Sequence, residues 1–272
     1  MRILVTGHEG FIGRNMLAWL NQEDGWHVDG WEWNPNQLPS VVDYDWVIHL
    51  GAIADMTYTD VDAVMKQNYE FSQWLFNECN MHGTHLQYAS SSSVYGNTKD
   101  FSETAPCNPQ TPYAWSKYLF DRWVFQQPIK IYVQGFRYFN VYGKWMHLRG
   151  NRANAIVKWR NQARKEGKVT VWENAEHVKR DWTWVGDVCR LHIDFIKQVN
   201  GSGIWNCGAG LAHSFLDIAE EIAEQEGAEL EFESVPQQEL VRFRNKTCAN
   251  LKHLKETVGK RNWLNVFEYL NQ

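Results

Sequence analysis

Tyr113 and Lys117 are the pair in this chain whose types and spacing suit proton chemistry. Four residues apart on a helix, their side chains leave the same face. A phenol with an ordinary pKa of about 10 is a poor base at neutral pH. A neighbouring ammonium and a nicotinamide cation both lower that value. The tyrosine then serves as acid and base between an alcohol and a ketone, and the lysine also reaches a nicotinamide ribose. A lone YxxxK pair is common and mostly structural. Ser91, 22 residues upstream in QYASSSSVYG, supplies the third group. It follows a strand and is placed to hold the reacting hydroxyl beside the tyrosine. The expected catalytic set is Ser91, Tyr113 and Lys117.

A second constellation lies at the start of the chain, where Thr6-Gly7-His8-Glu9-Gly10-Phe11-Ile12-Gly13 has GxxGxxG spacing between a strand and a helix. Glycines there permit a tight turn and bring the backbone close to a pyrophosphate, and the helix start offers N–H groups and the positive end of a dipole. Glu32 stands 19 residues past Gly13, at the end of the second strand, with Trp33 beside it. An acid at that place binds a ribose 2′-hydroxyl and repels a 2′-phosphate, so NAD is expected rather than NADP.

The elements that must position these groups alternate. Strands are predicted at Arg2–Thr6, near His27–Trp33, at Asp45–Leu50, at His85–Ser91 and at Ile129–Tyr138. Helices are predicted at Phe11–Leu20, Val61–Cys79 and Tyr113–Gln126. This rhythm specifies an α/β fold, a Rossmann-like doubly wound parallel sheet with a small C-terminal substrate lobe. The expected division is a cofactor domain of residues 1–143, completed by 181–207, and a lobe of 144–180 and 208–272. Only about a dozen residues, WNPNQLPSVVDY, separate the second strand from the third. The strand and helix that a full doubly wound half places there are predicted to be lost or shrunken.

The 272 residues, 44% of them hydrophobic, suffice for one large domain with a small lobe. A formal net charge of −5 argues against a general nucleic-acid binder. The five cysteines are odd in number and lack CxxC spacing, which predicts a reducing, cytoplasmic setting without disulfides. His82 and His85 form an HxxH pair with no third ligand nearby, and no metal site is expected. The start MRILVTG reads as a strand, so no signal peptide is expected, and without a run of 18 apolar residues no membrane span is predicted. The chain has 15 tryptophans, most of them expected in packing and a few in a ligand cleft.

The stretches TGHEGFIG, DWVIHLGA, YASSSSVYG, TPYAWSKYLFD, GFRYFNVYG, KRDWTWVGDV and SGIWNCGAG resemble the extended short-chain dehydrogenase/reductase family of nucleotide-sugar enzymes over nearly the whole chain. The resemblance implies NAD as cofactor and a nucleotide-diphosphate sugar as substrate. It implies that Leu50, Gly51 and Ala52 flank the cofactor, that Asn68 buttresses the strand ends, and that Tyr138, Asn140 and Val141 lie beside the nicotinamide and the sugar. Arg180 is implied at the nucleotide phosphates, and Arg149, Asn151, Trp172 and Phe243 complete the implied substrate contacts. Homo-oligomers built on the helices at 61–79 and 113–126 are also implied.

Within the family the chain is most similar to the branch that inverts carbon 6 of a nucleotide-linked heptose. That branch implies a second acid/base lysine, nine residues after the asparagine of YFN. Here that position is Arg149, which stays protonated. His147 stands two residues away. A 4-epimerase needs only the tyrosine. A 4,6-dehydratase implies an Asp-Glu pair after the catalytic hydroxyl residue, and Ser92-Ser93 follow instead. Three readings therefore remain: an epimerase that retains NAD, a 4-ketosugar reductase with exchangeable cofactor, and a non-catalytic NAD-binding protein.

Overall fold

The computed structural model describes residues 1–235 and 246–272, with Asn151 described by its backbone alone. β1 (Arg2–Thr6) carries Ile3 and Val5 to one face and Leu4 to the other, all buried. That alternation, with both faces apolar, belongs to a strand covered on both sides. Around it a six-stranded sheet forms with order β2-β1-β3-β4-β5-β9, every pairing parallel. The strands are β2 (His27–Trp31), β3 (Trp46–His49), β4 (His85–Ser91), β5 (Val133–Tyr138) and β9 (Gly203–Cys207).

Helices cover both faces. α1 (Phe11–Leu20) and α5 (Val185–Gln198) pack Phe11, Met16, Leu20, Val188, Leu191 and Phe195 against Ile3 and Val5. On the other face lie α2 and α3 (Pro112–Val124), which pack Phe71, Leu75, Phe76, Phe120 and Val124 around Leu4 and Val47. α2 joins Val61–Val64, a π-helical turn over Met65–Glu70, and Phe71–His82. The predicted single helix of 61–79 thus contains a π-turn and runs on to His82. Gly83, in the left-handed region at φ 79°, ends it.

β3 is trimmed to Trp46–His49 and α3 ends at Val124, and three further boundaries shift for local reasons. β2 stops at Trp31 because its pairing with β1 ends where Thr6 meets Trp31. β5 starts at Val133, not Ile129, because the Asn80 side chain binds Pro128 O and Lys130 N–H and draws that stretch toward the end of α2. α3 begins one residue early, at Pro112, capped by the Thr111 hydroxyl, which accepts from Ala114 N–H.

The shortened segment 32–44 contains neither strand nor helix, which leaves β2 at the sheet edge. Aromatic rings fill part of that side. Trp31 stacks on Phe71 at 5.2 Å, Phe71 stacks on Trp74 at 5.6 Å, and Trp33 meets Phe71 edge-on at 5.0 Å.

The remaining chain builds a second core. β6 (Asn140–Tyr142), β8 (Lys179–Trp184) and β10 (Ala212–Ser214) form a three-stranded sheet, and β7 (Lys168–Trp172) pairs with β11 (Glu229–Glu233). α4 (Ala155–Glu166), α6 (Phe215–Glu226) and the short α8 (Val266–Leu270) enclose Ile156, Trp159, Val171, Ile218, Ile222 and Leu270. α7 (Lys252–Val258) returns to β9. Among the described residues no helix is long and apolar enough to cross a membrane.

Candidate active site

The glycine turn is built by close backbone approach. Gly7 has φ 73°, and a Cβ there would lie 2.5 Å from the Gly51 backbone. Gly13 lets α1 settle on the turn, since its Cβ would fall 2.1 Å from Gly7 O. Both glycines are therefore required by the fold itself. Gly10 is different. Its φ of −71° suits any residue, and a Cβ there would meet only Gly7 O, at 3.2 Å. Gly10 is the N-cap of α1, and no side chain caps that end. The space in front of Phe11, Ile12 and Gly13 is thus a cradle with first-turn N–H groups pointing into it.

At its rim the Glu32 carboxylate accepts from Glu9 N–H at 3.2 Å and from Trp33 N–H at 3.3 Å. The buried His8 Nδ1 has no hydrogen-bond partner and lies 3.9 Å from Glu32. On the opposite side Leu50, Gly51 and Ala52 follow β3. Asn68, in the π-turn and fully buried, clamps the next residue: its Oδ1 accepts from Ile53 N–H at 2.8 Å, and its Nδ2 donates to Ile53 O and Ser116 Oγ, each at 3.1 Å. Its influence on a cofactor runs through the Ile53 backbone. These features fit NAD, whose pyrophosphate needs a cradle without Cβ atoms and whose adenosine ribose needs an acceptor.

Ser91 ends β4, and its Oγ accepts from Ser93 N–H at 3.1 Å. The Tyr113 hydroxyl shares a hydrogen bond with Ser91. Burial pushes the Tyr113 phenol above its ordinary value, against the pull of that hydrogen bond and of the Arg149 guanidinium. The cation countering the burial of Tyr113 is therefore Arg149. Lys117, a helical turn from Tyr113, is itself buried, at 4% exposure. Burial brings the Lys117 ammonium down to about 8, and Asp121 opposes that shift. Lys117 faces His49, which burial holds neutral at about 3. His49 Nδ1 lies 2.6 Å from the Thr6 hydroxyl and its Nε2 lies 2.9 Å from Ser72 Oγ. Ser72 donates onward to Asn68 O, so His49 carries its proton on Nε2 and accepts from Thr6.

Arg149, on the segment Met146–Arg152, donates to Ala54 O at 2.7 Å. His147 is exposed, so the side chain that reaches Tyr113 from this segment is Arg149. Tyr138 is buried, and its hydroxyl lies 2.5 Å from His192 Nε2, which leaves its ring for any contact in the cleft. Val141 is buried on β6, with Asn154 donating to its carbonyl at 3.3 Å.

Two residues after Ala54, Met56 and Thr57 form part of the wall of a cavity of about 630 Å³. Asn140, Trp172 and Arg180 line it as expected, joined by Lys158, Trp159 and Phe215, which sequence reasoning did not single out. Arg180 lies over the Phe215 ring at 5.5 Å and donates to Lys179 O. Its neighbour Asp181 accepts instead from the N–H groups of Ala209, Gly210 and Ala249. A larger groove of about 800 Å³, between Gly96–Phe101 and Lys246–Asn250, contains none of the expected site residues. Phe243 lies outside the described residues, as does the Asn151 side chain.

The comparisons agree with this geometry. A family profile described as the NAD dependent epimerase/dehydratase family matches residues 3–208. The chain belongs to that family. It is an enzyme of the extended short-chain dehydrogenase/reductase type with NAD as cofactor. Among curated relatives, the ADP-L-glycero-D-manno-heptose-6-epimerase of Brachyspira hyodysenteriae is 31% identical, with 97% of this chain and 94% of that one aligned. Among solved structures, the heptose epimerase of Helicobacter pylori has a TM-score of 0.89 at 22% identity, covering 99% of this chain and 94% of that one, which speaks to the fold. The UDP-glucose 4-epimerase of Thermus thermophilus, solved with NAD, has a TM-score of 0.83 at 25% identity over 99% and 96% of the two chains.

Proposed function

We propose that this family member is a nucleotide-sugar epimerase that oxidises its substrate transiently and reduces the keto sugar on the other face, with Tyr113 as its one proton-transferring group. The observation that carries the reading is the grouping of Ser91 and Arg149 around Tyr113, with Arg149 bound to Ala54 O two residues before the cavity wall at Met56. When bound, NAD supplies the acceptor and then the donor of the hydride. Ser91 holds the reacting hydroxyl, and Tyr113 takes its proton and later returns it. Arg149 favours the phenolate and Lys117 holds the nicotinamide ribose. Trp172, Asn140 and Arg180 receive the nucleotide diphosphate, for which a guanidinium suits by charge and fork geometry. Arginine does not exchange its proton. The keto sugar must therefore turn in the cavity and meet Tyr113 from both faces, as inversion at carbon 4 allows. Two of the named relatives are heptose 6-epimerases and the third is a UDP-glucose 4-epimerase, so both carbons belong in the assay.

Exposed Val61, Met81 and Trp115 on α2 and α3 support self-association through these helices. The deciding experiment denatures the purified protein, assays the released nucleotide, and screens ADP-, GDP- and UDP-sugars for a change of configuration. Retained NAD with epimerised product and no net NADH is expected. NADH consumed against a keto sugar would make the enzyme a reductase. Bound NAD without turnover on any sugar would point to a non-catalytic binder.

A further inference from the structure

Asp121 lies on α3 one turn beyond Lys117, 3% exposed. Its Oδ1 accepts from the Tyr88 hydroxyl at 3.0 Å, and its Oδ2 accepts from Ser90 Oγ at 2.9 Å and from Arg137 Nε at 3.0 Å. Arg137 is equally buried, lies over the Tyr95 ring at 4.9 Å, and donates to Glu103 O at 3.3 Å.

Each partner adjoins the site. Ser90 precedes Ser91 on β4, Arg137 precedes Tyr138 on β5, and Asp121 shares its helix with Tyr113 and Lys117. One carboxylate thus ties β4 and α3, which carry the catalytic set, to β5, which carries Tyr138. A buried ion pair adds little stability over apolar packing, whereas leaving one of its charges alone is costly. Packing alone therefore does not call for this pair.

We propose that Asp121 is a positioning residue for the reaction, fixing α3, and with it Tyr113 and Lys117, against β4 and β5. The proposal rests on the reading of Lys117 as part of the catalytic set. The ionisable groups facing Asp121 are Lys117 on its own helix, Tyr88 on β4, Arg137 on β5 and Cys107 in the loop before α3. Lys117 itself faces Asp121 and the neutral His49. Removing the carboxylate takes away the group that holds the ammonium up against burial. If Arg137 stays, its unpaired cation pushes the ammonium down further.

The test is titration of Lys117 by NMR in protein labelled with ¹³C at lysine ε-carbons, the resonance being assigned by its loss in Lys117→Met. It needs no substrate, so it is read independently of whether any nucleotide sugar turns over. The midpoint is expected to fall by about one pH unit, a tenfold change, in the charge-balanced double variant Asp121→Asn/Arg137→Met. It should fall further in Asp121→Asn alone if that protein folds. Over the same pH range the wild type retains bound NAD to higher pH than either variant. A Lys117 midpoint unchanged in the folded double variant would overturn the proposal and leave Asp121 as a structural pair with Arg137.

Discussion

The two walls of the cleft are built on different principles. On the sheet wall, Gly7, Gly13, Ser91, Tyr113 and Lys117 come from strand ends and helix starts of one parallel sheet, and buried hydrogen bonds hold their supports. On the lobe wall, Asn140, Trp172 and Arg180 arrive from three strands in two small sheets and meet around a cavity. The first wall is rigid because its positions are imposed by backbone contact, down to a Cβ that Gly13 cannot carry. The second is shaped by side chains, so exchanging them changes the ligand without touching the chemistry. On the proposed function, reaction type resides in the sheet and substrate choice in the lobe, consistent with function grafted on a shared fold.

Tyr113→Phe gives the largest expected break on the sheet wall. It should retain NAD and lose turnover by about 10³-fold or more, within the range for a lost acid/base group. Normal turnover would remove Tyr113 from the mechanism. Arg149→Met bridges the walls. Without its cation the Tyr113 phenol rises further, so the acid limb of the kcat profile should move to higher pH and turnover should drop by about 10²-fold. An unmoved acid limb would show that Arg149 serves the phosphates alone.

The glycines offer a sharper contrast. Gly10→Ala should leave the melting temperature near wild type while NAD binding weakens by about tenfold, since only the cradle is filled. Gly13→Ala should cost about 1–3 kcal/mol of stability because it strikes backbone. Equal effects in calorimetry and in NAD titration would dissolve the distinction drawn between the two. The smallest effect belongs to the lobe: Trp172→Ala should raise KM for the nucleotide sugar by about tenfold, the scale of one base stacked on an aromatic ring, with kcat little changed. A fall confined to kcat would move Trp172 to the sugar end.

Strands with apolar runs and the turn after β1 were legible because their causes are local. The neighbourhood of Ser91 and Tyr113 was legible because each sits at the end of a strand or the start of a helix that the local pattern marks. The long helix read correctly in place but not in form. Its π-turn at Met65–Glu70 places Asn68 against Ile53, and hydrophobic periodicity does not distinguish that turn from an ordinary one. The shortened run 32–44 was visible as a missing length, whereas the stacking of Trp31 on Phe71 that fills this edge depends on residues 40 positions apart.

By itself the sequence determined a parallel sheet with a glycine cradle at its start and a tyrosine–lysine pair near its centre, because the apolar runs, the glycine spacing and the i,i+4 pair that signal them are each written within about a dozen consecutive residues. Tertiary structure decided which charges act on those groups. Arg149 counters the burial of Tyr113, His49 stays neutral beside Lys117, and Asp121 meets Arg137 across two elements. Electrostatic strength depends on separation and burial, and both are set only when distant segments pack.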